Sequence, residues 1–208
     1  MISIDIKKKK FEDKCLLKNI SITIERNGFY VITGPSGVGK STLLYMLGLL
    51  DTQYEGAYRL NNKYINTGDT ISHLLIRKKY FGFVFQNSLI NPNQSVLRNL
   101  LCSVDYSQLK VCSKHVDKIM DMVGLSGVTE KAAVLSGGEK QRLALARALI
   151  KKPKVIFADE PTASLDKNNK KLVMNILKNY QNTGGTVIMV THDLELIDSS
   201  MKLIQLYN

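Results

Sequence analysis

The chain has 208 residues, enough for one domain with a substantial core, and its 44% hydrophobic and 23% charged residues are ordinary globular values. A membrane-spanning helix needs about 18 consecutive apolar residues, and no run in the sequence is that long. The N-terminus lacks the layout of a signal peptide. Three cysteines and three histidines are scattered, which argues against a disulfide framework or a zinc site. We therefore expect the chain to stay in the cytosol.

The net charge of +11 arises from 29 Lys and Arg residues against 18 Asp and Glu residues. It indicates either attraction to an anionic surface, nucleic acid or the inner leaflet of a membrane, or simply solvated lysine faces. No aromatic residues alternate with the basic ones, so we expect no specific nucleic-acid partner.

The first predicted elements are β-strands. Residues 2–6 and 20–24 alternate apolar and polar, which predicts an antiparallel pair with the lysines at 7–10 in the hairpin tip. Residues 28–33 form an apolar strand that enters a glycine-rich loop, and a helix follows from residue 42 to about residue 50.

That loop fits the pattern G-x-x-x-x-G-K-S without a mismatch. Such a loop turns backbone N–H groups and a helix N-terminus towards nucleotide phosphates, with the lysine near the β- and γ-phosphates and the serine near Mg²⁺. A chance match in a glycine-rich turn is the alternative. The predicted phosphate-binding residues are Gly34, Pro35, Ser36, Gly37, Val38, Gly39, Lys40, Ser41 and Thr42.

Further along the chain, strands and helices alternate. The pattern predicts short strands near 56–60, a helix near 70–78, a strand at 81–85, helical structure over 92–131, a helix at 139–150, a strand at 155–158, a helix at 167–180 and a strand at 186–190. This order predicts an α/β fold with a mostly parallel sheet covered on both faces, and a helical subdomain before residue 135.

Two further motifs contain candidate catalytic or anion-binding residues. Asp159 and Glu160 end the apolar strand 155–158, and carboxylates beside a phosphate-binding loop suit a Mg²⁺ ligand and a group that polarises the attacking water; a solvated strand end is the alternative. Ser136, Gly137 and Gly138 precede the helix at 139–150 and form either a second anion-binding turn or an ordinary helix cap.

These motifs together resemble the ATP-binding cassette (ABC) ATPase family. The resemblance rests on Leu-Ser-Gly-Gly-Glu-Lys-Gln-Arg from residue 135, Ala-Asp-Glu-Pro-Thr-Ala-Ser-Leu-Asp from residue 158, and the glycine-rich loop, and it covers essentially the whole chain. It implies the P-loop NTPase ABC-ATPase fold, with an N-terminal antiparallel β part and a helical insertion. Residues 1–86 and 136–208 would form the catalytic core of a single 1–208 domain, and residues 87–135 the helical subdomain.

The resemblance also assigns roles that the residues alone do not. Phe11 would stack on adenine, although by itself it reads as a core or edge residue. Gln86 would contact Mg²⁺ and the attacking water, Asp166 would belong to the loop that crosses between subunits, and His192 would contact the γ-phosphate, where an isolated strand-end histidine would be a surface residue. The implied catalytic residues are Glu160, His192, Gln86 and Lys40, and the implied Mg²⁺ ligands are Ser41, Gln86 and Asp159.

In this family the Ser136–Gly138 turn of one chain closes over ATP held by a second chain. The resemblance therefore implies a dimer around two ATP molecules, Mg²⁺ as cofactor, and a separate membrane permease that the chain would meet at the inner face of the cell membrane. The motifs are most similar to those of the macrolide-export, lipoprotein-releasing and bacteriocin- or peptide-export group. Amino-acid import, a soluble ABC ATPase and a non-hydrolysing binding module are the alternatives, and a nucleotide kinase would not explain the residues from 135 to 142.

Overall fold

The computed structural model describes residues 1–12, 14–128 and 131–207. Its central sheet has five parallel strands: β3 (Phe29–Thr33), β6 (Phe81–Val84), β7 (Val155–Asp159), β8 (Thr186–Val190) and β9 (Lys202–Gln205). Their order across the sheet is β6-β7-β8-β3-β9. Every residue of β3, β7 and β8 is buried, as expected for parallel strands covered on both faces.

A second, antiparallel sheet has four strands: β1 (Ile2–Phe11), β2 (Lys14–Ile24), β4 (Glu55–Leu60) and β5 (Lys63–Ile65). Their order across the sheet is β2-β1-β4-β5. Ile2 pairs with Ile24 and Ile6 with Ile20, so the predicted antiparallel pair is confirmed. The alternating isoleucines of β1 are buried because they share one face of the strand.

The helices are α1 (Lys40–Leu47), α2 (Thr70–Tyr80), α3 (Val96–Leu101), α4 (Leu109–Ser113), α5 (Val116–Met122), α6 (Gly137–Leu149) and α7 (Lys167–Asn182), with short 3₁₀ turns at Tyr106–Gln108, Ala132–Val134 and Leu194–Leu196. Helix α1 lies in a core shared by the two sheets, whereas α3, α5, α6 and α7 pack in a second core on the opposite face of the parallel sheet. No helix in the described part of the chain is long and apolar enough to cross a membrane.

The lysine run does not form the hairpin tip, and that prediction was wrong. Residues 7–10 lie within β1, where irregular pairing occurs between Ile6 and Lys8 and again between Lys9 and Lys10. These shifts turn Lys9 inward, where its ammonium donates to Asp51 at 2.7 Å and to the carbonyl oxygen of Gln53 at 2.9 Å. An internal ion pair therefore accommodates a charge that the sequence pattern placed in solvent.

Two further expectations need correction. The predicted helical stretch at 92–131 is a series of short helices, and α5 ends near Gly124, whose φ of 65° stops an α-helix; residues 129 and 130 lie outside the described residues. Strand β9 was not predicted. It pairs in parallel with β3, with Tyr30 opposite Lys202, and forms the edge of the central sheet.

Candidate nucleotide-binding and hydrolysis site

Most of the predicted site residues lie at one edge of the parallel sheet, at the carboxyl ends of its strands. In the strand pairing, Ile32 lies opposite Val190, Val190 opposite Asp159, and Ala158 opposite Val84. Because all these strands run in the same direction, the segments that follow them emerge side by side. The glycine-rich loop, Asp159 and Glu160, Gln86 and His192 therefore occupy neighbouring strand ends.

The glycine-rich loop depends on glycine at two positions. Gly34 has a φ of 144°, and a Cβ there would lie 2.5 Å from the carbonyl oxygen of Leu206. Gly39 has a φ of 102° and directly precedes α1. Because Gly39 has no side chain, no side chain caps the N–H groups in the first turn of α1. These amides and the helix dipole create positive potential at the loop.

Lys40 is a buried cation, 5% exposed, at the start of α1. Its ammonium donates to the carbonyl oxygens of Gly34 at 3.0 Å and Pro35 at 2.7 Å, and among the described residues it forms no ion pair with a carboxylate. A buried charge that has only neutral partners is costly, and a bound anion would compensate it.

Asp159 is 6% exposed, and two hydroxyl groups from α1 hold its carboxylate. Ser41 donates to Oδ1 at 2.9 Å, and Tyr45 donates to Oδ2 at 2.6 Å. Burial raises the pKa of the Tyr45 phenol well above its ordinary value, and Asp159 adds to the shift, so Tyr45 remains a hydrogen-bond donor.

The donor set at this position fits magnesium. Mg²⁺ takes oxygen ligands, needs only one or two carboxylates, and keeps several waters beside substrate phosphates. The Ser41 hydroxyl and the Asp159 carboxylate lie within hydrogen-bond distance of each other, and Gln86 could add an amide oxygen. The described residues contain no group of three or more His, Cys, Asp or Glu side chains that would form an all-protein metal site.

Glu160 and His192 form a pair across β7 and β8. Nε2 of His192 lies 2.9 Å from Oε1 of Glu160, and the imidazole is about half exposed. The backbone N–H of Glu160 donates to the carbonyl of Val190 at 3.0 Å, which fixes the residue at the sheet edge. Asp193, next to His192, forms a 2.6 Å ion pair with Lys170 of α7, and this contact anchors the loop after β8.

Gln86 follows Phe85 at the end of β6 and is exposed. The register of β6 on β7 places Val84 beside Ala158, so the segment Phe85–Gln86 leaves the sheet at the same edge as Asp159 and Glu160. The carbonyl of Phe85 accepts a hydrogen bond from the buried Gln141 of α6 at 3.0 Å, so the segment before Gln86 is attached to that helix.

The N-terminus of α6 is a preformed, exposed turn. Ser136 and Glu139 form a capping box: the Ser136 hydroxyl accepts from the Glu139 N–H, and the Glu139 carboxylate accepts from the Ser136 N–H at 2.8 Å. The hydrogen bond from the Ser136 N–H lowers the pKa of the Glu139 carboxyl group most, and the Ser136 hydroxyl, which donates to the same carboxylate at 2.8 Å, lowers it further. Ser136 and Gly137 are exposed, and a Cβ added to Gly137 would have no neighbouring atom within 4 Å. Among the described residues, this turn shares no hydrogen bond with the glycine-rich loop.

Asp166 caps α7 by accepting from the N–H groups of Asn168 and Asn169. The hydrogen bonds from Asn169 also lower the pKa of its carboxyl group. The Asn169 side chain contacts Asp166 on one side and Arg142 of α6 on the other, so it joins the starts of α6 and α7.

Phe11 lies at the end of β1 and its side chain is 67% exposed. The hairpin reaches the glycine-rich loop through its second strand: a Cβ on Gly39 would lie 3.0 Å from Leu17 and 3.1 Å from Leu16. Phe11 itself borders residues 50–53. Its predicted contact with adenine stays a prediction.

Sequence reasoning missed Tyr45 and Asn169. Ser41 and Tyr45 are four residues apart on one helix, a spacing that places both on the same face and could have drawn attention to the tyrosine. For Asn169 the sequence offers no signal, because its partner Arg142 belongs to another helix.

Comparison with known proteins agrees with this geometry. The profile described as "ABC transporter" matches residues 17–163. The macrolide export ATP-binding/permease protein MacB of Bdellovibrio bacteriovorus is 40% identical over 92% of this chain, which spans 30% of MacB. The lipoprotein-releasing system ATP-binding protein LolD of Aquifex aeolicus is 37% identical over 92% of this chain and 87% of LolD. The chain thus spans less than a third of the MacB relative but most of the LolD relative.

Solved structures give the same result. The dimeric structure of MJ0796, described as a bacterial ABC transporter cassette, has a TM-score of 0.85 and 32% identity, covering 99% of this chain and 94% of that one. A dimeric MJ0796 structure in a post-hydrolysis state, bound to ADP and Pi, has a TM-score of 0.83 and the same identity. The predicted fold class, a parallel sheet with an antiparallel β part and helices, is confirmed.

Proposed function

The chain belongs to the ABC transporter family of ATPases, and from this we propose that it is the ATP-binding, ATP-hydrolysing subunit of a transporter with a separate membrane permease. The main observation behind the proposal is that three features lie at one edge of the sheet. They are the buried Lys40, the hydrogen-bonded pair Ser41–Asp159 and the pair Glu160–His192. A buried cation, a Mg²⁺-type oxygen pair and a carboxylate–imidazole pair are the parts that phosphoryl transfer to water requires.

Each residue then has a role in hydrolysis. Lys40 and the loop amides hold the phosphates, and Glu160 orients the attacking water with its carboxylate held beside His192. Ser41, Asp159 and Gln86 would hold Mg²⁺, which would neutralise charge on the phosphate oxygens when bound. His192 donates a hydrogen bond to the transferred phosphoryl group, and Phe11 stacks on adenine.

The exposed Ser136–Gly138 turn supports a dimer. The first-turn N–H groups of Gly137 and Gly138 and the helix dipole suit phosphate, yet the turn shares no hydrogen bond with the phosphate-binding loop in the described chain. We propose that this turn and Asp166 meet ATP held by a second copy, or by a related cassette, so that two ATP molecules lie at the interface. The dimeric MJ0796 structures support this arrangement.

Residues 87–135 are the part we propose to contact the permease. A groove there is lined by apolar side chains of α3 and α5, among them Val96, Leu100 and Met120, and carries Asp117 and Asp121 at its rim. It suits a short cytoplasmic permease segment with apolar and basic residues. This contact would place the chain at the inner face of the cell membrane. The transported substrate would be a peptide, bacteriocin, lipoprotein or drug-like molecule, by similarity to MacB and LolD.

The test compares ATP hydrolysis and solution mass, with Mg²⁺ and ATP, for the parent and Glu160→Gln. We expect slow turnover in the parent, and in the variant at least a hundredfold slower turnover with a stable ATP-bound dimer. Glu195→Gln is the matched control, because Glu195 is an exposed carboxylate three residues after His192 with no ion-pair partner among the described residues.

Three outcomes would change the proposal. ATP binding without turnover in the parent, even with the permease added, would favour a regulatory binding module. Turnover that no membrane fraction retains would favour a soluble ABC ATPase. Dimerisation independent of nucleotide would contradict the two-ATP interface. Transport assays with the partner permease in vesicles would separate export from amino-acid import.

A further inference from the structure

Tyr45 occupies a position that connects three parts of the site. It lies on the same face of α1 as Ser41, and the two hydroxyls donate to different oxygens of Asp159, at 2.6 Å and 2.9 Å. A carboxylate can rotate about its terminal torsion within a broad well. With a donor on each oxygen, that rotation is removed, and the hydrogen bond from Tyr45 to a charged acceptor is of the strong kind.

The Tyr45 ring is itself held by aromatic packing. It meets the Phe85 ring edge-on, with centroids 6.2 Å apart. Phe85 stacks on Phe83 at 6.0 Å, and Phe83 stacks on Phe157 at 5.3 Å, two residues before Asp159. The rings form a continuous row between β6 and β7, so the phenol cannot swing away from Asp159 without disturbing its neighbours.

This row also reaches the segment before Gln86. The carbonyl of Phe85 accepts from Gln141 of α6, while the ring of Phe85 touches Tyr45. A shift of α6 relative to the sheet would move Phe85, and the Tyr45 ring would have to follow. The contacts therefore run from α6 through Phe85 and Tyr45 to the Asp159 carboxylate.

We propose that Tyr45 is a positioning residue that fixes the Asp159 carboxylate in the orientation required for Mg²⁺ and couples that orientation to the Phe85–Gln86 segment. The inference rests on the proposed Mg²⁺-dependent ATPase function. The phenol contacts neither the metal nor the nucleotide in this role, and acts only through Asp159. Its ring would also fill space between α1 and β7, and the test must separate the hydroxyl from the ring.

The experiment uses Tyr45→Phe, which keeps the ring and removes the hydroxyl. Its matched control is Tyr58→Phe: the Tyr58 hydroxyl is also buried and donates to α1, at the Leu47 carbonyl 2.8 Å away, but it has no contact with the site. Binding of a fluorescent ATP analogue is titrated with Mg²⁺ and, separately, measured in EDTA. Turnover is recorded over the same Mg²⁺ range.

For Tyr45→Phe we expect the Mg²⁺ concentration for half-maximal binding and turnover to rise about tenfold, the lower end of what contacts to metal ligands contribute. ATP affinity in EDTA should stay within about twofold of the parent, because the phosphate-binding loop is unchanged. Tyr58→Phe should leave the Mg²⁺ requirement unchanged, even if its melting temperature falls. This pattern would support the proposal.

Any one of the following results would overturn it. An unchanged Mg²⁺ requirement in Tyr45→Phe would mean that the hydroxyl does not position Asp159. An equal loss of ATP affinity with Mg²⁺ and in EDTA, or an equal effect of Tyr58→Phe, would mean that the tyrosine only supports the fold. If the parent itself shows no Mg²⁺-dependent ATP binding, the proposed function fails and this inference fails with it.

Discussion

At the scale of single residues, Glu160 combines a proposed role in hydrolysis with backbone strain. Its φ of 45° places a glutamate in the left-handed region, which is unfavourable for residues with a Cβ. The backbone is held there by the hydrogen bond from Glu160 N–H to Val190, next to the pair with His192. Strain at such a position is typical of sites where geometry serves the reaction.

This strain predicts that glycine at position 160 is more stable than alanine, the reverse of the usual order. Glu160→Gly should be about 1 kcal/mol more stable to unfolding than Glu160→Ala, because glycine adopts the left-handed conformation without a Cβ clash. Both variants should lose turnover. Urea unfolding of the two proteins measures the difference. At Glu195, which lies outside the positive-φ residues, the same two substitutions should give the ordinary order, with alanine the more stable.

At the scale of elements, the starts of α6 and α7 are held together by Asn169. A Cβ on Gly138 would lie 2.8 Å from the Asn169 Cγ, whereas a Cβ on Gly137 meets nothing within 4 Å. The Asn169 side chain cannot move freely, because it is bonded to Asp166 and Arg142. The two adjacent glycines therefore differ in their structural roles.

We expect Gly138→Ala to destabilise the fold by about 1 kcal/mol for each Asn169 hydrogen bond that breaks. Gly137→Ala should be neutral or slightly stabilising, because alanine is the better helix former and the space is open. Thermal unfolding of the two variants without nucleotide provides the comparison. Equal effects of both substitutions would show that Asn169 adjusts without cost.

The capping box of α6 predicts a dependence on pH. The pKa of Glu139 is lower in the folded chain than its ordinary value of 4.5. The Glu139 carboxylate therefore contributes fully to the free energy of unfolding above pH 4.5, and this contribution disappears as the pH falls through the lower pKa of the folded chain. The melting temperature of the parent should therefore exceed that of Glu139→Gln near neutral pH, and the difference should shrink as the pH falls below about 4.5. A difference that is constant with pH would exclude this ionic contribution. Other carboxylates with lowered pKa values, such as Asp198 at about 2, affect both proteins equally.

At the scale of the whole molecule, the excess of positive charge bears on the capture of ATP. Lys14 and Lys18 are exposed on β2 and flank Leu16 and Leu17, the residues next to Gly39 in the proposed phosphate-binding loop. Positive charge near an anion site raises association rates at low ionic strength and does so less as salt screens it.

Replacing Lys14 and Lys18 by Gln should slow ATP association about two- to fivefold at low salt, with little change in dissociation. The effect should fade at physiological ionic strength. Lys114 and Lys118 are also exposed but belong to the helical part, so the same double replacement there is the control. Stopped-flow mixing with a fluorescent ATP analogue measures both rates. Equal slowing by the two pairs would assign the effect to net charge alone.

The class of fold and the main motifs could be predicted from the sequence. Continuous apolar runs at residues 155–158 and 186–190 predicted buried parallel strands, and the spacing of Gly34, Gly39, Lys40 and Ser41 predicted a phosphate-binding loop. These signals are local: periodicity, glycine spacing and charge at strand ends are readable within a few residues of each other.

Which distant residues meet could not be predicted from the sequence and became clear from the folded chain. Tyr45 and Asp159 are 114 positions apart, and their contact arises because α1 packs against β7. Lys9 is buried only because irregular pairing turns it towards Asp51, and β9 forms only because β3 offers a free edge. Such contacts depend on strand order, register and packing direction, which no local pattern specifies, since they follow from how whole elements bury their apolar faces together.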